Sequence, residues 1–231
     1  KISHLEPKSL TFGSVRDKIS SRKVVRPMSG AYAANLLPLE PALIDQSYFL
    51  DELIDATAKL EVYKEKIKDS KLDSAWFMPT LQQKEALASS MLEGTQATLD
   101  GVFTNQVAPN DKDRNLNEVR NYYLATISGY RYLQGNEFSD DFFLHMHELL
   151  MQGNVRKPAL IGKYRTTQNY IGKNDASHAI TFIPPAPDEV PSLMKNLIAY
   201  INQPKDKYRP LIRAAIIHAQ FETIHPFIDG N

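Results

Sequence analysis

The stretch His225-Pro226-Phe227-Ile228-Asp229-Gly230-Asn231 decides how the rest of the chain is read. It hangs from a helix-like run and holds a histidine, a carboxylate and a Gly-Asn turn close together. His225 can take up a proton near neutral pH. Asp229 can hold a hard cation such as Mg²⁺. Gly230 and Asn231 tolerate the backbone shapes that turn amide N–H groups toward an anion. Base, metal ligand and anion cradle together point to phosphoryl-group chemistry. Asp-Gly-Asn is equally ordinary turn chemistry, so on its own the stretch reads as a surface turn. Its surroundings have to decide.

Those surroundings are mostly helical. A run from about Pro210 to Glu222 delivers the loop; Leu211, Ala214, Ala215, His218 and Phe221 form its expected buried face, and its alanine and isoleucine content predicts a central position. Before it, Asp188 is expected to cap a helix that buries Val190, Leu193, Met194, Leu197, Ile198 and Ile201 and stops at Gln203-Pro204. Residues 154–187 are punctuated by Gly162 and Gly172, and Thr167–Ile171 and His178–Ile183 read as the arms of one small β-hairpin ended by Pro184-Pro185. Ser139 caps a helix with Phe142, Phe143, Met146, Leu149 and Leu150 inward, and residues 117–133 carry the stripe Val119, Tyr122, Tyr123, Ile127 and Tyr130. Residues 105–114 read as a loop.

A further helix is expected over residues 81–98, with Thr80 as its N-cap after the short apolar connector Trp76-Phe77-Met78-Pro79. Leu87, Met91, Leu92 and Thr95 would share one face, and Ser89 and Glu93 are neighbours four residues apart. Gly94 inside that run costs about 1 kcal/mol relative to alanine. It reads either as a place where another backbone or ligand comes close or as a tolerated glycine near a kink. From Pro41 to about Lys68 the pattern is again helical, with Tyr48, Phe49, Leu53, Ala56 and Leu60 at helical steps. Residues 1–40 read as an extended arm over the body. The fold class is therefore mainly α, a helical bundle with one small β-hairpin, divided into an arm and helical extension (1–80) and a core (81–231).

Composition bounds the function. The 231 residues are 42% hydrophobic, enough for one domain, or one domain with an extension. Twenty-seven basic residues balance 27 acidic ones, so no global field favours nucleic acid or an anionic membrane. Cysteine is absent, which excludes disulfides and cysteine-based sites and fits a cytoplasmic protein. No signal peptide is visible, and no apolar run approaches the roughly 20 residues of a membrane span. His145 and His147, two apart on a helix, point to different faces, and His218 and His225 are seven apart. A zinc site is not expected, and these histidines read as mostly structural or solvated.

The loop resembles a known signature. HPFIDGN is similar to the start of the motif of Fic-domain proteins, His-x-Phe-x-Asp/Glu-Gly-Asn, which continues with Gly-Lys/Arg and a second arginine. His218, Gln220, Phe221, Glu222 and Ile224 resemble the family's run into that loop, as do Glu118, Val119 and Asn121 and the segment Gly162-Lys-Tyr-Arg165. Pro184 to Met194 resembles the segment after the family's target-docking hairpin. Ser89-Ser-Met-Leu-Glu93-Gly94 resembles the inhibitory motif Ser/Thr-x-x-x-Glu-Gly/Asn of the subclass with an N-terminal inhibitory helix.

The resemblance implies a Fic-type helical bundle that transfers AMP from ATP to a hydroxyl side chain of a target protein. It implies His225 as general base, Asp229 as Mg²⁺ ligand, and Gly230 and Asn231 at the nucleotide phosphates. Phe227 would pin the loop and Pro226 would stiffen the helix exit. Ser89, Glu93 and Gly94 would form the inhibitory element, with Glu93 blocking the γ-phosphate position or, in some members, supporting AMP removal. The target would add as a strand at about His178–Ile183, and the family leaves room for a homodimer. Because the given sequence stops at Asn231, before the distal arginine, the chain is expected to continue, and starting at Lys1 it is expected to have been trimmed upstream. The competing readings are another phosphate-group transferase or de-AMPylase on the same scaffold, and a non-enzymatic helical interaction module.

Overall fold

The computed structural model describes residues 30–39, 44–69, 74–92, 94–107, 113–153, 160–172, 180–203 and 207–231. Among these the helices are α1 (Leu50–Asp69), α2 (Ser74–Leu92), α3 (Leu99–Val107), α4 (Arg114–Tyr132), α5 (Asp140–Leu150), α6 (Val190–Asn202) and α7 (Pro210–Ile224). Strands β1 (Ile171–Gly172) and β2 (Ile180–Phe182) pair antiparallel, Ile171 with Phe182 and Gly172 with Ile180, across an irregularity in the register. The mainly helical class with one small hairpin is what the pattern predicted. The described strands are shorter than the expected arms, and His178 lies outside the described residues.

Helix α4 lies at the centre of one half, packed against α2, α3 and α5, while α6 packs on α7. Asp113 caps α4 by accepting the Leu116 N–H, and Ser139 caps α5 by accepting the Phe142 N–H. The larger core gathers Val190, Leu193, Met194, Leu197 and Tyr200 of α6 with Ile212, Ile216 and Ile224 of α7. Each such side chain removed from water contributes about 1.5–3 kcal/mol, so this pair of helices anchors the loop at the end of α7. Ala86, Val102 and Val119 form a smaller core where α2, α3 and α4 meet. A row of aromatic rings joins the two halves: Phe138 meets Phe142, Phe142 meets Phe143, and Phe143 stacks on Phe221 at 5.7 Å.

Residues 30–39 cross this body without helix or strand. The Leu37 N–H donates to Asn196 Oδ1 and the Asn196 amide returns a bond to the Leu37 carbonyl. Gln220 Nε2 donates to the Asn35 carbonyl, and the Tyr32 N–H donates to the Ile183 carbonyl beside the hairpin. Leu37 is buried, whereas Leu36 is exposed.

Several local expectations are corrected. The expected helix over 81–98 is α2, which starts at Ser74, passes through Pro79 and Thr80 and ends at Leu92. Pro79 is the sixth residue of α2, past the four whose N–H groups lack an intrahelical partner, so it removes one intrahelical bond, the one to the Ala75 carbonyl. Residues 99–107 form a separate helix whose Gly101 N–H is capped by the Thr98 hydroxyl, in place of part of the expected loop. Helix α1 begins at Leu50 after a short 3₁₀ turn over Gln46–Tyr48, and α6 begins at Val190 after a similar turn over Pro187–Glu189; it is Glu189, not Asp188, that accepts the Ala186 N–H.

Two helical faces carry the right period with the wrong phase. Helix α2 buries Gln83, Ala86 and Ser90 and leaves Met91 and Leu92 exposed. Helix α7 buries Ile212, Ile216, Gln220 and Ile224, whereas Leu211, Ala214, Ala215 and His218 face outward. Both helices are apolar over much of their circumference, so periodicity alone leaves the inward face undetermined.

Candidate active site

Helix α7 ends at Ile224, and the loop begins with His225 in the left-handed region, at φ 48° and ψ 64°. A non-glycine residue there carries strain of about 1–2 kcal/mol and persists only when its neighbours fix it. Here they do. The His225 N–H donates to the Phe221 carbonyl at 2.9 Å, closing the helix. The His225 carbonyl accepts from Arg165 Nε at 2.8 Å, and the Pro226 carbonyl accepts from the Arg165 backbone N–H at 2.8 Å. Pro226 itself cannot continue the helix and is fully buried.

Arg165 is 2% exposed, which is unusual for a guanidinium. Its Nη2 donates to the carbonyls of Pro185 and Ile224 and its Nη1 to Thr167, so its described partners are all backbone oxygens. The positive charge thus sits at the C-terminal end of α7, where the helix dipole favours it. It also sits beside His225. Burial first, and the Arg165 charge second, hold the His225 imidazole below its ordinary value, against a weaker opposing effect of the Glu222 backbone. Both burial and the Arg165 charge disfavour the protonated ring. Its Nδ1 is buried without a hydrogen-bond partner, 3.9 Å from Glu222 Oε2.

The far half of the loop is held from another direction. Phe227 is buried and stacks flat on the His147 ring of α5, with centroids 3.9 Å apart and planes 2° from parallel. Tyr164 and Phe221 flank it. Asn169 Nδ2 donates to the Phe227 carbonyl at 3.1 Å. The Asn231 side chain folds back on the same residue: its Oδ1 accepts the Phe227 N–H at 2.7 Å and its Nδ2 donates to the Phe227 carbonyl at 3.0 Å. Gly230 has φ 71° and donates its N–H to Asp229 Oδ1. A Cβ at this glycine would overlap Met151 Sδ, so both its conformation and its packing exclude a side chain.

Asp229 is exposed, and its carboxylate receives one described hydrogen bond, from Gly230. Among the described residues no group of three or more His, Cys, Asp or Glu side chains could hold a metal ion. A lone exposed carboxylate suits Mg²⁺ as one ligand among phosphate oxygens and water, which is how that ion is commonly bound beside nucleotides. The residues present therefore fit Mg²⁺ arriving with phosphates.

The structure brings His225, Asp229, Gly230 and Asn231 together. Ser89 and Gly94 lie at the C-terminal end of α2, which packs on α4: Ser89 Oγ donates to Glu85, which also receives the Tyr122 hydroxyl, and Thr95 Oγ1 donates to Glu118 of α4. Gly94 is not inside a helix. With φ 95°, it ends α2 in a Schellman turn, its N–H on the Met91 carbonyl and the Thr95 N–H on the Ser90 carbonyl. A Cβ there meets nothing within 4 Å, so the glycine serves the turn and not a close approach. Glu93 lies outside the described residues.

Sequence reading missed His147 as part of the site. The available signal was its place four residues after Phe143 and four before Met151, on the inward face of α5. It missed Met151 too, and it gave Arg165 no role beyond family likeness.

Comparison with known proteins covers the same residues. The Fic/DOC family model matches residues 137–231, and the Fic/DOC family N-terminal model matches residues 50–131. The chain belongs to the Fic/DOC family. The loop lies within the first match and α2 within the second. Over 97 residues this Fic chain is 37% identical to protein adenylyltransferase fic-1 of Caenorhabditis briggsae, spanning 42% of this chain and 17% of that protein. Over 89 residues it is 34% identical to protein adenylyltransferase Fic of Drosophila grimshawi, spanning 38% of this chain and 16% of that protein. The chain therefore matches only a small share of the length of these curated relatives. A Fic family protein from Desulfovibrio desulfuricans superposes with a TM-score of 0.58 at 23% identity, covering 86% of this chain and 56% of that one. Fic-1 from Caenorhabditis elegans superposes at 0.53 and 22% identity, covering 79% and 55%. These likenesses establish the Fic fold.

Proposed function

We propose that this Fic protein transfers AMP from ATP to a hydroxyl side chain of a protein substrate. The observation that carries the reading is His225: a neutral imidazole at the head of a loop whose backbone is fixed by Arg165 and whose other end presents Asp229 and Gly230. Names of the relatives as protein adenylyltransferases support the same chemistry. In the reaction the target hydroxyl oxygen bonds to the α-phosphorus, the bond from that phosphorus to the pyrophosphate oxygen breaks, and the hydroxyl proton passes to His225. With Nδ1 buried toward Glu222, Nε2 is the nitrogen left to take that proton. Mg²⁺ held by Asp229 would neutralise charge on the phosphates. Gly230 and Asn231 stand at the loop end assigned to those phosphates.

Autoinhibition by Ser89, Glu93 and Gly94 belongs to the same proposal. In the sequence Glu93 directly precedes Gly94, whose turn ends α2. The exposed Ile180 and Thr181 of β2 would accept a target segment by strand addition. A homodimer and a cytoplasmic setting are part of this reading; no described helix is long and apolar enough to cross a membrane. The test is transfer of label from α-labelled ATP to protein by the full-length chain. Glu93→Gly should raise incorporation and His225→Ala should abolish it. Incorporation that survives His225→Ala, or a preference for a non-adenine donor, sinks the reading.

A further inference from the structure

His147 makes more contacts with the loop than a buried core histidine requires. It is 6% exposed, lies on α5, and belongs to a different element from every residue the loop contributes. Its Nδ1 is 2.9 Å from the Gly162 N–H, and its Nε2 is 3.0 Å from the Asp229 carbonyl oxygen. A backbone N–H can only donate and a carbonyl can only accept. Nδ1 must therefore be the bare nitrogen and Nε2 the protonated one, so the two contacts select one neutral tautomer. The ring face meanwhile lies flat on Phe227. Three independent contacts fix one side chain, and through it the backbone of Asp229.

We propose that His147 is a positioning residue that sets the backbone of Asp229, and thereby aims its carboxylate at the Mg²⁺-bound phosphates. What Asp229 binds rests on the AMP-transfer reading; that His147 fixes Asp229 does not. The Asp229 carbonyl is turned toward α5 by the Nε2–H bond, and the Gly230 N–H closes on the carboxylate from the other side. Met151, one turn beyond His147, fills the space where Gly230 lacks a side chain. Removing the Nε2 donor leaves the carbonyl free to rotate and the carboxylate free to move with it. His225 is held separately by Arg165, so the two halves of the loop are positioned by different residues.

Two measurements on the full-length protein decide this. In ¹⁵N-resolved spectra of the unsubstituted chain, His147 should show a protonated Nε2 and a bare Nδ1; the opposite tautomer, or rapid averaging of the two, overturns the proposal without any variant or nucleotide. His147→Phe keeps the stack and removes both hydrogen bonds, whereas His147→Gln keeps an amide that can donate. Calorimetric titration with ATP in excess Mg²⁺ should show about tenfold weaker binding for the Phe variant, with binding in EDTA changed less than about twofold, and partial recovery in the Gln variant. Equal losses with and without Mg²⁺, or none, overturn the proposal. If the unsubstituted protein binds no ATP in either condition, the AMP-transfer reading fails. The positioning claim then stands or falls on the backbone signals of Asp229 and Gly230, which must shift in the Phe variant by more than those of His225.

Discussion

The loop His225–Asn231 and the segment Ser89–Thr95 are both rich in functional residue types, and the molecule holds them differently. The loop is gripped by residues far away in the chain: His147, Arg165, Asn169 and Met151 all reach it. The described residues of the segment Ser89–Thr95 take their backbone bonds from α2 itself, and side chains tie them to α4, where Thr95 Oγ1 donates to Glu118 Oε2 at 2.7 Å. Ser89 bonds Glu85, Gly94 and Thr95 bond the preceding turn of α2, and Met91 and Leu92 face outward. A region held by several distant groups keeps one geometry, which the proposed transfer would require.

The most direct challenge to this contrast lies at His225. His225→Ala should lower AMP transfer by roughly 100-fold or more if the loop carries the chemistry. A Ser89→Ala change, which removes the exposed contacts of this hydroxyl with Glu85 and Tyr122, should leave the rate within about threefold. Similar effects at the two positions, measured by labelled-ATP incorporation, would remove the distinction.

The next largest effect concerns stability. Arg165→Met leaves the carbonyls of Pro185, Ile224 and His225 without their donor and should cost roughly 3 kcal/mol, read from a urea midpoint. A loss under about 1 kcal/mol would mean that the grip on the loop is weak.

Paired glycine substitutions probe the two regions in parallel. Both Gly230 and Gly94 have positive φ, so alanine at either is strained. Only Gly230 also faces Met151, so Gly230→Ala should cost about 2–3 kcal/mol and Gly94→Ala about 1 kcal/mol. Equal melting-temperature shifts would contradict the packing difference.

The smallest effect is on pH dependence. Burial holds both His147 and His225 below the ordinary histidine value of 6.5. Between those lowered values and 6.5 the unfolded chain binds more protons than the folded one, so stability rises with pH across that window and falls on acidification through it. Denaturant midpoints measured across the window should decline toward acid, and His147→Phe should flatten the decline. A flat profile in the unsubstituted protein would show that neither ring is held neutral.

Much of this is legible in the sequence because it depends on neighbours along the chain. The order of helices, the cap at Ser139, the strand-stopping prolines and the concentration of His225, Asp229, Gly230 and Asn231 all derive from local spacing. The Schellman turn at Gly94 has a local signal too, a glycine at the end of a helical run, but the polar and apolar residues beyond it keep a helical pattern that hides the stop. The inward faces of α2 and α7 are not legible, because each helix offers apolar residues on more than one side and only its neighbours choose among them.

A helical chain ending in a histidine–carboxylate–glycine loop needs only residue types and short-range geometry, so the order of amino acids is enough to specify it. The residues that make the loop rigid were set by tertiary packing alone. His147 precedes Asp229 by 82 positions and Arg165 precedes His225 by 60, and no periodicity links groups at such separations. The packing of α5 and the hairpin region against α7 joins them. That packing buries a guanidinium and an imidazole where the backbone of the loop supplies the oxygens they need.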